Sequence, residues 1–119
     1  MGQSTDAILV WGFDLGDPEA WDGNALHYRV KYLLDEGYVE MTALEKATGA
    51  ELVQHCSNDC PMYVVGVSKT KVRARRGHPK EITSLDVDVA EAQEAIDAFA
   101  KALGVEPKEG RWILASDWS

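Results

Sequence analysis

Cysteine is scarce in this chain: Cys56 and Cys60 are the only two among 119 residues, too few for the disulfide framework of a small secreted domain. Apolar runs are short as well, and none approaches the ~18 residues that cross a bilayer. The opening Met-Gly-Gln-Ser-Thr-Asp carries no apolar stretch of the signal-peptide kind. The expectation is a cytoplasmic protein without a membrane partner. Bases are missing from most of the chain. The net charge is −8, from 12 Lys and Arg against 20 Asp and Glu. Lys69, Lys71, Arg73, Arg75, Arg76 and Lys80 are six of those 12, so the rest of the chain sets six bases against 20 acids, a balance of −14. A body that negative disfavours nonspecific nucleic-acid binding. Repeats, linkers and low-complexity stretches are absent too.

What is present reads as one globular domain. A chain of this length buries roughly 65% of the surface its unfolded form exposes, enough to fold without metal or disulfide. Ile8 to Trp11 is an unbroken apolar run, the pattern of a strand buried on both faces, within a strand predicted over 7–13. Leu26, Val30, Leu33 and Leu34 place a helix between Asn24 and Gly37. Thr42 and Glu45 have capping-box spacing, predicting a short second helix that ends at Gly49. Strands follow over 51–56, 62–67 and 72–76. Asp88 and Glu91 open the clearest helix, with Val89, Ala92, Ile96, Phe99 and Leu103 on one stripe and Gly104 and Pro107 at its end. A last strand covers 111–115. The fold class is α/β, bordering on α+β: a mixed, roughly five-stranded sheet with two or three helices, in the order β-α-α-β-β-β-α-β.

Crossover connections give parallel strands and short turns give hairpins. The first, second, fourth and fifth strands are therefore expected to run one way, with the third reversed between its two hairpin partners. Their carboxyl ends share an edge, the usual place for a site in open α/β sheets. That edge gathers Asp14 and Asp17, His55 with Cys56, Arg76 with His78, and Asp117 with Trp118. Asp14, His55, His78, Asp117 and Trp118 are the candidate binding residues.

His55-Cys56-Ser57-Asn58-Asp59-Cys60 is richest in reactive types, but neighbours on a strand face opposite ways, so His55 cannot serve Cys56 as a base. Zinc needs three or four protein ligands, and no second pair accompanies this segment, so neither metal nor cofactor is expected. The aspartates have a plain structural reading, since loop aspartates bond nearby backbone amides. Lys71, Arg73 and Arg75 project from one face of a strand and, with Arg76, could grip an anionic partner; no aromatic interleaves them to stack bases. Trp11 and Trp112 sit within strands and belong to the core. Trp21 and Trp118 follow strand ends, where amphipathic rings line contact surfaces.

Trp-Gly-Phe-Asp-Leu-Gly at 11–16, His-Cys-Ser-Asn-Asp-Cys-Pro-Met-Tyr at 55–63 and Ile-Leu-Ala-Ser-Asp-Trp at 113–118 resemble stretches in a group of small uncharacterised proteins of actinobacteria and their phages. The resemblance covers less than a quarter of the chain and implies an accessory phage or host protein. It also implies a different residue at position 60, which speaks against a two-cysteine site. The function expected from all this is a small acidic binding protein that contacts a host macromolecule or a small ligand. The alternatives are a hydrolase-like enzyme using strand-end His and Asp residues, and a nucleic-acid binder using the basic strand over 69–80. The sequence sets no oligomeric state.

Overall fold

The computed structural model describes residues 5–18, 21 and 24–118, with backbone only at 24 and 25. Its elements follow the expected order: β1 (Thr5–Gly16), α1 (Asn24–Asp35), α2 (Tyr38–Thr48), β2 (Ala50–Ser57), β3 (Pro61–Val67), β4 (Val72–Arg75), α3 (Val89–Leu103) and β5 (Arg111–Trp118). The five strands form one mixed sheet. No helix among the described residues is long and apolar enough to cross a membrane.

Local chemistry explains most boundaries. Asp88 caps α3 by accepting a hydrogen bond from the Glu91 amide at 3.1 Å, and Gly104 ends it in the left-handed region at φ 86°. Gly49 closes α2 the same way at φ 78°. The start of α2 differs from expectation. Thr42 and Glu45 lie inside the helix, which begins a turn earlier behind Gly37 with no side-chain cap. The Met41 amide bonds the Gly37 carbonyl at 2.8 Å and Met41 is buried, so burial extended the helix past the local capping signal.

Strand directions correct the expected topology. The connection from β3 to β4 is not a hairpin. β3 pairs with the carboxyl half of β1 (Gly12 opposite Gly66, Phe13 opposite Val65), and β4 pairs with its amino half (Asp6 opposite Arg75, Leu9 opposite Val72), both antiparallel to β1. The two segments thus lie end to end along one side of β1, interrupted by a 3-10 turn at Ser68–Thr70. Thr70 makes this possible. Its hydroxyl oxygen accepts from the Trp11 amide at 3.0 Å and donates to the Val67 carbonyl at 2.7 Å, replacing the ladder bond lost at the interruption.

The other side of β1 carries β5, also antiparallel, from Thr5 opposite Trp118 to Gly12 opposite Arg111. β4 and β5 are therefore parallel with β1 between them, and α3 is the crossover that spans the gap. β2 pairs with β3 antiparallel, while its end pairs with β5 in parallel (Cys56 opposite Asp117, Ser57 opposite Trp118). The pairings β1–β3–β2–β5–β1 form a closed circuit, so the sheet curls onto itself.

The helices cover one face. There Trp11, Phe13, Val65 and Val67 meet Val30 and Leu33 of α1, Met41 of α2, and Ala92, Ile96, Phe99 and Leu103 of α3. Val89, the first residue of the expected stripe, is exposed. The inner face of the curl holds a second cluster, Ile8, Val10, Val53 and Val64, with Ile113 against it. Within the run from Ile8 to Trp11, Ile8 and Val10 feed the second cluster and Trp11 the first, while Leu9 is half-buried outside both. At 119 residues this curled sheet and its three helices make one domain.

Candidate functional site

The corrected topology separates Asp14 from Asp117. Asp117 pairs with Asp6 at the amino end of β1, whereas Asp14 lies eight residues further along the same strand, about 25 Å at an ordinary strand rise. Asp14 has the plain structural role: its Oδ1 accepts from the Gly16 amide at 2.8 Å, beside an irregularity in the β1–β3 register. The other candidates do gather at one end. Cys56, next to His55, pairs with Asp117, and Trp118 pairs with Ser57. The His78 amide bonds the Arg75 carbonyl at 2.8 Å in a turn that follows β4, and Arg75 pairs with Asp6. His78, Arg75 and Arg76 are exposed, and Trp118 is 57% exposed.

At the centre of this end is a knot. Arg73 Nη1 donates to Asp6 Oδ2 at 2.5 Å and to Asp117 Oδ2 at 3.3 Å. Burial works against the Arg73 charge, but the hydrogen bonds and charges of the two aspartates outweigh it and push its pKa up. Asp6 Oδ1, Asp117 Oδ1 and His55 Nε2 are buried without hydrogen-bond partners among the described residues. One guanidinium thus holds two carboxylates on opposed strands. Arg73→Met should therefore destabilise the fold by about 1–3 kcal/mol, less than for a fully buried pair because the Arg73 side chain is 41% exposed. Adding Asp117→Asn should recover part of that loss, since it removes an uncompensated charge. Urea unfolding of the four proteins of this cycle measures both effects, and purely additive losses would dissolve the knot as a unit.

Half of the six cations of the 69–80 segment are engaged within the chain. Lys69 pairs with Glu91 at 2.6 Å, Lys71 with Glu51 at 3.0 Å, and Arg73 with Asp6 and Asp117. Its other three cations, Arg75, Arg76 and Lys80, make no ion pair among the described residues.

A cleft of about 340 Å³ opens elsewhere, between α1, the loop after β1 and the turn joining β2 to β3. Its aromatic wall is Trp21 and Tyr63, with ring centroids 6.2 Å apart and planes at 47°. Trp21 is fixed by its indole Nε1–H, which donates to the Leu15 carbonyl at 2.6 Å. One face of α1 supplies His27, Val30, Lys31, Leu34 and Asp35, at the spacing of a helical stripe. The β2–β3 turn adds Asp59, Cys60 and Pro61, and the loop after β1 adds Asp17 and Pro18. Cys60 is exposed and Cys56 half-buried, both as free thiols. Burial first, and then the Asp35 carboxylate, push the Tyr63 hydroxyl above its ordinary value, so it stays protonated at neutral pH. No group of three or more His, Cys, Asp and Glu able to hold a metal ion exists among the described residues.

Of the cleft residues, the sequence marked Asp17, the contact role of Trp21, and Asp59 with Cys60 in the segment richest in reactive types. It missed Asp35 and Tyr63, which look like an ordinary helix end and an ordinary core strand residue. One signal was available. Asp35 stands in the last turn of α1, which carries no base, where the helix macrodipole disfavours an acid. Comparison with protein families, curated proteins and solved structures finds no match.

Proposed function

We propose that this chain is a small acidic cytoplasmic binding protein whose contact site is the cleft between α1 and the β2–β3 turn. The observation that carries the reading is the pairing of a fixed aromatic wall, Trp21 on Tyr63, with polar groups that converge from three separate segments. An accessory role in a phage or its actinobacterial host rests on the three motif resemblances alone. Affinity capture from an actinobacterial lysate, read by mass spectrometry, tests the site. A partner retained by the native chain should be lost with Trp21→Ala and kept with Trp118→Ala; because the Trp21 ring packs against the core, its variant should melt lower and is compared at a temperature where circular dichroism shows it still folded. The opposite pattern would move the contact to the carboxyl end of β5.

The hydrolase alternative draws less support than the cleft, because Asp14 lies far from Asp117 and His55 makes no hydrogen bond to either carboxylate. The nucleic-acid alternative is weakened by the ion pairs of Lys69, Lys71 and Arg73. We expect no retarded band with duplex or single-stranded DNA at about 150 mM salt, where phosphate contacts are already weakened. Retention lost on charge reversal of Arg75 and Arg76 would reinstate that reading.

A further inference from the structure

We propose that the cleft between α1 and the β2–β3 turn receives an arginine side chain of a partner protein. The inference rests on the cleft being the contact site, and it adds the chemistry of the occupant. Three carboxylates, Asp17, Asp35 and Asp59, line the cleft against one ammonium, that of Lys31. They arrive from three different segments, so their proximity is a product of the fold and not of a local acidic run. Asp35 and Asp59 form no ion pair among the described residues.

Two further features favour a cation. α1 ends at Asp35, which brings the negative end of its macrodipole to the cleft. Placing an acid there breaks a local rule of helix design, and such breaks concentrate where function demands them. The aromatic wall then selects the kind of cation. Tyr63 is 6% exposed, and its hydroxyl makes no hydrogen bond among the described residues while the side chain lines the cleft. The indole N–H of Trp21 is already used on Leu15, which leaves the ring as a surface for stacking. A planar guanidinium stacks on such rings and donates in a fork to carboxylates, which an ammonium does less well.

A cleft of about 340 Å³ is at the small end for ligand sites and suits one side chain. Apolar surface continues from the cleft-lining Leu34, 45% exposed, to Tyr28 of α1, 66% exposed. That surface is available to residues flanking the arginine, which a free small cation would leave uncovered.

The test uses three probes on the full chain: Nα-acetyl-arginine methylamide, its citrulline counterpart (a neutral near-isostere), and a tripeptide with arginine between two leucines. Binding is read from the Trp21 indole N–H and the Asp59 and Cys60 amides in heteronuclear NMR. The arginine amide should bind at least about tenfold more tightly than the citrulline amide, a ratio within the range of a cation–π contact reinforced by charge. The tripeptide should bind more tightly again. Asp35→Asn and Asp59→Asn, both at exposed positions, should each weaken the arginine probe several-fold and leave the citrulline probe unchanged. Equal affinity for arginine and citrulline would overturn the inference while leaving the cleft as a binding site. A tripeptide no better than the amide would assign the cleft to a free small cation instead. If no probe moves the Trp21 signal, the guanidinium inference fails. If aromatic fragments such as phenol also leave that signal unmoved, the cleft itself fails as the contact site.

Discussion

Replacing Phe99 by alanine should destabilise the protein by about 3–5 kcal/mol, the usual effect of emptying a buried aromatic position. Phe99 is fully buried on the face of α3 that meets Trp11, Phe13 and Val65 of the sheet and Leu33 of α1. It therefore joins three elements at once, and the neighbours that would have to collapse into the hole belong to different parts of the chain. The melting temperature should fall by roughly 10–20 °C, given the entropy of unfolding of a domain this size. Urea unfolding gives the free energy directly. A loss below about 1 kcal/mol would mean that the α3 stripe faces something other than the core.

Gly12→Ala should be nearly as damaging for a different reason. Gly12 faces Gly66 where β1 meets β3. A Cβ there would fall onto the Val65 carbonyl oxygen and within 2.8 Å of the Gly66 Cα. Both obstacles are backbone of β3, whose hydrogen bonds to β2 and β1 fix its position. The neighbours cannot yield as a flexible side chain would, so about 3 kcal/mol of overpacking cost is expected. Gly49→Ala is the contrasting control: a Cβ there meets nothing within 4 Å, and only its left-handed backbone, at φ 78°, resists substitution. That variant should lose about 1 kcal/mol. Were Gly12→Ala to melt with the native chain, the close crossing of β1 and β3 would be wrong.

The two substitutions also mark the division between local and long-range information. Helix α3 was legible because everything that defines it lies within its own residues: an acid cap at Asp88, a stripe at 3.6-residue spacing, and Gly104 to stop it. The strands were legible for the same reason, as was their order along the chain. Ile8 to Trp11 even announced burial on both faces. Strand direction was not legible. A Ser-Lys-Thr link of three residues reads as a hairpin turn, yet it serves as an interruption in a continuing strand, because the Thr70 hydroxyl bonds the amide of Trp11, 59 residues away in sequence.

That one reversal decided which side chains meet. It sent Asp117 to Asp6 and Arg73 instead of to Asp14, while the cleft draws Trp21, Asp35, and Asp59 with Tyr63 from three separate stretches of sequence. The sequence by itself determined the elements, their caps and the charge of the chain, since those depend on neighbours a few residues away. The pairing of strands, and with it every candidate site, depends on contacts between residues tens of positions apart. Only the tertiary structure decided those, because a period-2 pattern states which face of a strand is buried but not which strand lies beside it.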